Sequence, residues 1–122
     1  MGQSATELLA SIRASLGPEA IALATVSVIE LEHGIWRAKD AAQAANRKAF
    51  FDDLFAAVPT YPLTFGIARH AARIDGESRR RGLVIPFQDL VIGVTALEFD
   101  YAVATANVRH FQMIPGLEVK PL

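Results

Sequence analysis

The sequence predicts an α/β fold in which a parallel sheet is flanked by helices. Short apolar runs at residues 20–26 and 101–105 have the length of buried strands, and longer segments with apolar residues at helical spacing lie between them. Such alternation is typical of a parallel sheet covered by helices. With 122 residues, of which 52% are hydrophobic, the chain has the size and composition of one globular domain spanning residues 1–122.

The composition excludes several classes of function. The chain contains no cysteine, which rules out disulfide frameworks, thiolate zinc sites and cysteine nucleophiles. Twelve basic and thirteen acidic side chains nearly cancel, so any contact with nucleic acid needs a local basic patch rather than overall charge. No apolar run reaches the roughly 18 residues of a membrane span, and the first residues do not resemble a signal peptide. We therefore expect a cytoplasmic protein with no membrane partner.

A capping box predicts the first helix. Ser4 and Glu7 have the spacing that this motif requires, and Gly17, which a proline follows, marks the end of the helix. The apolar run 20–26 then predicts a buried parallel strand.

Glu30 is the first candidate functional residue, and its position supports two interpretations. Ser27 precedes it by three residues, which is again the spacing of a capping box at the start of a second helix. A carboxylate that follows the strand 20–26 is also suited to binding a ligand at the carboxyl end of a parallel strand. On spacing alone, capping and catalysis both stay open.

An aromatic cluster marks the third predicted helix, which runs from Asp40 to about Val58. Together with a tryptophan in the second helix, its large apolar side chains offer more hydrophobic surface than one small domain covers. Contiguous exposed apolar patches usually mark interfaces. The sequence therefore predicts a homodimer contact or a partner groove at Trp36, Phe50, Phe51, Leu54 and Phe55.

A fourth helix is predicted from Thr64 to a run of three arginines before Gly82. The proline-rich segment 58–63 precedes it as an extended link. Cations at the end of a helix are favoured by its dipole, which is a sufficient reason for the arginines. The alternative is that Arg79, Arg80 and Arg81 bind phosphate groups of a nucleic acid.

Asp89 is the second candidate functional residue. It begins a strongly apolar helix after Pro86, and the strand 101–105 follows that helix. The helix dipole favours a carboxylate in a first turn by roughly 0.3–1 kcal/mol, so a purely structural explanation also exists. Beyond the strand, Asn107 lies in a polar turn, and residues 117–121 predict a short edge strand.

Three stretches together resemble the signature regions of PIN-domain proteins, specifically the VapC-type toxins of bacterial toxin–antitoxin pairs. They are SVIELEHGI at residues 27–35, IPFQDLVI at 85–92 and TANVRHF at 105–111, in the order and spacing of that family. The resemblance implies a PIN-like fold and a Mg²⁺- or Mn²⁺-dependent endoribonuclease that forms a homodimer and is neutralised by a cognate antitoxin. It also implies that Glu30 and Asp89 are catalytic metal ligands, close enough to share one cation, and that Asn107 binds a metal-bound water.

Two features of the family pattern are missing from this sequence. Family members begin with a strand that ends in an aspartate, the first metal ligand, so we expect the sheet here to lack its first strand. The usual fourth carboxylate is also missing, because Asn107 and His110 occupy its candidate positions. We therefore expect the chain as given to be a poor nuclease. The alternative function is a non-catalytic PIN relic that acts as an antitoxin-binding or dimerisation module.

Overall fold

The computed structural model describes residues 4–17 and 20–122, which form helices and short strands in alternation. In chain order the elements are α1 (Ala5–Leu16), β1 (Leu23–Ala24), α2 (Thr25–Trp36), α3 (Ala41–Ala57), β2 (Thr60–Tyr61), α4 (Phe65–Arg80), α5 (Phe87–Glu98), β3 (Val103–Thr105), α6 (Val108–Phe111) and β4 (Val119–Pro121). The predicted α/β class is confirmed. None of these helices is long and apolar enough to cross a membrane.

The chain divides into two compact units, the first ending at Tyr61 and the second beginning at Pro62. Each unit contains one pair of parallel strands, β1 with β2 and β3 with β4. The predicted parallel pairing is therefore confirmed in both units. The expectation of a single domain over residues 1–122 stays a prediction.

Side-chain caps determine where three helices begin. Ser4 Oγ accepts a hydrogen bond from the Glu7 N–H at 3.1 Å, and the Glu7 carboxylate accepts one from the Ser4 N–H at 3.3 Å, which completes the predicted capping box of α1. Asp40 and Thr64 likewise accept bonds from the backbone three residues on, at 2.8 and 3.1 Å. Such caps satisfy N–H groups that have no partner within the helix. The predicted starts of α1, α3 and α4 are confirmed.

The predicted strand 20–26 is wrong in its length. Only two of its residues pair with β2, and Thr25 already begins α2. The reason is that Pro59 and Pro62 flank β2, and neither has the N–H that a longer ladder needs. Thr25 instead donates its hydroxyl to the Tyr61 carbonyl at 2.9 Å, which joins the start of α2 to β2.

The first unit has a small core between α1 and α3. Its buried side chains are Ala5, Leu9, Leu54 and Val58. Leu54 and Val58 are four residues apart, so they face the same side of α3, the side that packs on α1. This burial contradicts the prediction of Leu54 as an interface residue, because its side chain is already enclosed within the unit.

The second unit buries a larger core between α4, α5 and the C-terminal segment. The apolar positions of α4 are buried at helical spacing, and Phe111 of α6 enters the same core. The β3–β4 pair lies against it through Val103, and the predicted C-terminal edge strand is confirmed as β4. The buried members of this core are Ile67, Ala71, Ile74, Ile85, Leu90, Val94, Val103, Phe111 and Ile114.

The end of α4 is also where the sequence predicts it. The Gly82 N–H donates to the Arg79 carbonyl at 3.0 Å, and the Leu83 N–H donates to the Ser78 carbonyl at 2.9 Å. These two bonds form a Schellman motif, which requires a left-handed residue, and Gly82 has a φ of 76°.

One close approach fixes α5 within the second unit. A Cβ on Gly93 would overlap Ile114 Cδ1 and would lie 3.2 Å from Leu117 Cδ2. Ile114 is only 2% exposed, so its side chain has little free volume to move into. A methyl group at position 93 would therefore force Ile114 to shift.

Replacing Gly93 by alanine should destabilise the protein by about 1–3 kcal/mol, because the added methyl group must displace Ile114. Gly76→Ala is the matched control, since Gly76 is exposed in α4 and its Cβ would meet nothing within 4 Å. That control should stabilise by about 0.5–1 kcal/mol through helix propensity. Urea unfolding followed by circular dichroism measures both, and equal effects of the two substitutions would contradict the packing argument.

Candidate functional site

Asp89 and His110 are hydrogen bonded to each other in the second unit. Nδ1 of the imidazole lies 2.8 Å from Oδ2 of the carboxylate. The two side chains are 24% and 29% exposed, so the pair is held in place by its surroundings and still reaches solvent.

The fold brings this pair together through two parallel contacts between α5 and the segment that begins at α6. Asp89 and Gly93 are four residues apart, and so are His110 and Ile114. One contact packs Ile114 against Gly93, and the other joins His110 to Asp89. The core contact and the hydrogen bond of the pair therefore join the same two segments of the chain.

The protonation of the pair follows from the chemistry of its groups. An ionised carboxylate only accepts hydrogen bonds, so Nδ1 of His110 carries the proton and donates to Asp89. Oδ1 of the carboxylate and Nε2 of the ring have no hydrogen-bond partner among the described residues. The pair can thus offer oxygen and nitrogen donors to a ligand.

A second pair of the same kind lies elsewhere in this unit. Nδ1 of His70 is 2.8 Å from Oε1 of Glu98, at the other end of α5 from Asp89. No residue of this pair was predicted to be functional. It therefore serves as a control in experiments on the Asp89–His110 pair, because it is a histidine–carboxylate hydrogen bond of the same length with no predicted function.

Glu30 is an exposed residue of α2 in the first unit. The N-cap residue of α2 is Ala24, which makes no side-chain cap bond, so Ser27 lies inside the helix and does not begin it. A capping box needs its glutamate at the third helical position, whereas Glu30 follows Thr25 by five residues. The capping interpretation of Glu30 is therefore wrong. Its role as a metal ligand, and the sharing of one cation with Asp89, stay predictions.

The donors described here suit a weakly chelated cation. Among residues 4–17 and 20–122, no three His, Asp or Glu side chains are grouped to hold a metal ion. A Mg²⁺ ion usually keeps several waters and takes only one or two carboxylates from the protein, so a half-exposed carboxylate such as that of Asp89 fits its chemistry. Asn107 is exposed just before α6, and its side chain makes no cap bond. Its predicted water-binding role is compatible with that position and stays a prediction.

The three arginines at the end of α4 differ in their surroundings. Arg79 Nε donates to both carboxylate oxygens of Asp75, at 3.1 and 3.0 Å, in a pair four residues apart. Arg80 and Arg81 are exposed and form no ion pair with the described residues. Arg80 and Arg81 are thus more available than Arg79 for the predicted contact with RNA.

The predicted interface cluster is only partly enclosed. Trp36 is 84% exposed at the end of α2. On α3, Phe50 packs edge to face on Phe51 with ring centroids 5.7 Å apart, and Phe51 stacks on Phe55 at 6.2 Å. These three rings are half-buried. Leu54 is therefore excluded from the predicted interface residues. An interface at the other four residues stays a prediction, and Trp36 is the most exposed of them.

The decisive comparison is with a curated protein sequence. The chain is 33% identical to Ribonuclease VapC of Rickettsia bellii (strain RML369-C) over an alignment of 100 residues, and the match covers 77% of this chain and 70% of that protein. The chain belongs to the VapC family of PIN-domain toxins. No protein-family model matches it.

Solved structures confirm the VapC-type fold. The DNA-bound VapBC of Salmonella typhimurium matches with a TM-score of 0.78 and 18% identity, covering 98% of this chain and 85% of that chain. VapBC2 of Rickettsia felis, bound to a promoter DNA fragment, matches with a TM-score of 0.76 and 19% identity, covering 93% of this chain and 83% of that chain. FitAcB of Neisseria gonorrhoeae matches with a TM-score of 0.77 and 23% identity, covering 93% of this chain and 84% of that chain. At these identities the comparisons show the fold alone.

The sequence of this VapC-family chain did not reveal that His110 is the partner of Asp89. His110 occupies a position where a carboxylate was expected, and nothing in its neighbourhood along the chain points to Asp89. Its contact with Asp89 joins residues 21 positions apart, and no local pattern predicts such a tertiary contact.

Proposed function

We propose that this chain is an endoribonuclease toxin that hydrolyses RNA phosphodiester bonds with the help of Mg²⁺ or Mn²⁺. The observation that carries the proposal is the Asp89 carboxylate, held half-exposed at the start of α5 by His110. Membership of the VapC family supports the ribonuclease class.

The chain's own residues have distinct parts in this proposal. Glu30 and Asp89 would hold the cation, and Asn107 would hold one of its waters. When bound, the cation supplies positive charge that acidifies a water and offsets the negative charge developing on the phosphate. His110 keeps the Asp89 carboxylate in one orientation, since a hydrogen bond to a charged group is worth roughly 1.5–3 kcal/mol.

A cognate antitoxin is the proposed protein partner. VapBC complexes are among the solved structures that this chain resembles, which supports a partner of that kind. The ring of Trp36, which is 84% exposed at the end of α2, is the side chain that the proposed contact would cover. The same surface is the proposed homodimer contact, with Phe50, Phe51 and Phe55 beside it on α3.

The second candidate function is a non-catalytic module that binds the antitoxin or dimerises. The observation that favours it is the lack of any grouped set of three metal-ligating side chains among the described residues. RNA cleavage separates the two candidates, because the module should not cleave RNA with any divalent cation.

We expect Asp89→Asn and Glu30→Gln each to lower the rate of RNA cleavage by about 10- to 100-fold, because each removes a charged ligand and keeps the side-chain shape. Cleavage of a labelled RNA in Mg²⁺ or Mn²⁺ measures the effect. Glu32→Gln on α2 and Glu98→Gln on α5 are the matched controls and should leave the rate unchanged. Equal rates for all four variants would contradict the assignment, and no cleavage by the unmodified chain would favour the module.

Arg80→Gln and Arg81→Gln should each weaken RNA binding and reduce the slope of log K against log salt by about 0.7–0.9 if the arginine contacts one phosphate. Arg79→Gln should have a smaller effect, because the Arg79 guanidinium is already engaged with Asp75. Filter binding across a salt series, with an uncleavable RNA, measures the slopes. Three unchanged slopes would leave the arginines with a helix-end role only.

A further inference from the structure

Three arginines lie in a line along the exposed face of α4. Arg69, Arg73 and Arg80 are separated by four and then seven residues, and both spacings return to the same side of a helix. All three are exposed, whereas Ile67 and Ile74 are buried on the other side of α4. These three arginines are called the α4 stripe below. From its first to its last residue the α4 stripe rises about 16 Å, at about 1.5 Å per residue.

The positive charge of the α4 stripe is not neutralised by a carboxylate. In the part of the chain that the structure describes, none of its three guanidinium groups forms an ion pair. Glu77 is exposed four residues after Arg73, but these two side chains are not paired either. By contrast, Arg79 lies off the stripe and donates to both carboxylate oxygens of Asp75. The α4 stripe therefore presents guanidinium groups that are available to an anion.

The guanidinium at the start of the α4 stripe lies against an aromatic ring. Cζ of Arg69 is 5.9 Å from the centroid of the Phe65 ring, one turn earlier on α4. A cation–π contact leaves the charge in place and uses none of the five N–H donors of the guanidinium. Arg69 is thus held at the surface with its hydrogen-bond donors free for a ligand.

A helix face that is only solvated does not need this arrangement. Arg69 and Arg73 are like charges four residues apart, which destabilises a helix. On α3 the chain instead pairs opposite charges at that spacing, Lys48 with Asp52 at 2.6 Å. Residues 69–81 also hold five of the twelve basic side chains of a chain in which thirteen acidic ones slightly exceed them. They are thus a local basic patch of the kind that contact with nucleic acid requires.

The α4 stripe starts at the end of the second unit that carries the candidate site. His70, early in α4, is hydrogen bonded to Glu98, the last residue of α5, so the two consecutive helices run antiparallel. The end of α4 with Arg80 therefore lies toward the start of α5 with Asp89, and Arg69 lies toward the opposite end. A ligand that contacts the whole stripe must extend away from Asp89.

We propose that the α4 stripe binds the phosphate backbone of RNA beyond the bond that is cleaved. The inference rests on the proposed function, because the RNA is the proposed substrate. A row of guanidinium groups suits a row of phosphates, since each can donate two parallel N–H bonds to phosphate oxygens. Phosphate contacts fix the register and orientation of a nucleic acid without reading its sequence. The α4 stripe therefore positions RNA and adds no preference for particular bases.

The test is binding of a fluorescent single-stranded RNA of mixed sequence, about 16 nucleotides long, to the full chain. Anisotropy is measured across a salt series in EDTA, which prevents metal-dependent cleavage. Arg69→Gln and Arg73→Gln should each reduce the slope of log K against log salt by about 0.7, and the double variant by about 1.4. Arg13→Gln removes an exposed arginine from α1 and is the matched control, which should leave the slope unchanged.

Two results in this assay would overturn the inference. One is a slope that neither stripe variant changes, and the other is an equal change with Arg13→Gln, because overall charge would then explain the binding. Polyglutamate of similar length is measured with the same variants. Weaker binding of polyglutamate with unchanged binding of RNA would also overturn the inference and assign this face to an acidic protein partner. Circular dichroism checks folding, which both exposed substitutions should preserve because each removes a repulsion between like charges.

Cleavage of the same RNA with Mn²⁺ separates this inference from the proposed function. The stripe variants should raise KM and leave kcat unchanged, because the stripe contacts RNA away from the reacting phosphate. Cleavage with an unchanged KM and unchanged salt slopes would keep the proposed function and reject the α4 stripe. Stripe-dependent binding by a chain that cleaves no RNA would reject the proposed function and keep the α4 stripe as an RNA-binding surface.

Discussion

The close approach of α5 to Ile114 at Gly93 is the constraint on which the candidate site depends. A Cβ at this position would overlap Ile114 Cδ1, so a methyl group there would force the buried isoleucine to move. On the same two segments, four residues earlier in each, the carboxylate of Asp89 is hydrogen bonded to the imidazole of His110. The core contact and the candidate site thus join the same two segments.

Two effects hold the Asp89 carboxylate, and their magnitudes differ. The dipole of α5 favours an acid in its first turn by roughly 0.3–1 kcal/mol. The hydrogen bond from His110 to a charged, half-exposed acceptor is worth roughly 1.5–3 kcal/mol before solvent screening is considered. The tertiary contact is therefore the larger of the two, and it also fixes the direction of the carboxylate, which the dipole does not.

Much of the fold follows from local sequence signals. The capping residues Ser4, Asp40 and Thr64 predict three helix starts, because each satisfies backbone N–H groups within its own turn. The same logic fails at Ser27, which repeats the capping spacing but lies inside α2. There the chain enters the helix from a strand whose partner is bounded by prolines, and that pairing decides the boundary.

The site was only partly predictable for a related reason. The motif around Asp89 identifies a candidate acid, and its role as a metal ligand stays a prediction. Leu54 was assigned to the surface because an apolar pattern does not reveal which neighbour covers it, and it packs in a core instead. His110 was missed as a partner of Asp89 because the contact exists only when α6 folds back on α5.

The central claim is that Asp89 carries a divalent cation in this VapC-family chain. The most direct measurement is an anomalous difference map from crystals of the full chain soaked in Mn²⁺, recorded at the manganese absorption edge. The account predicts a peak within about 2.2 Å of an Asp89 carboxylate oxygen. A map with no peak at Asp89, or with its strongest peak at the His70–Glu98 pair, would contradict it.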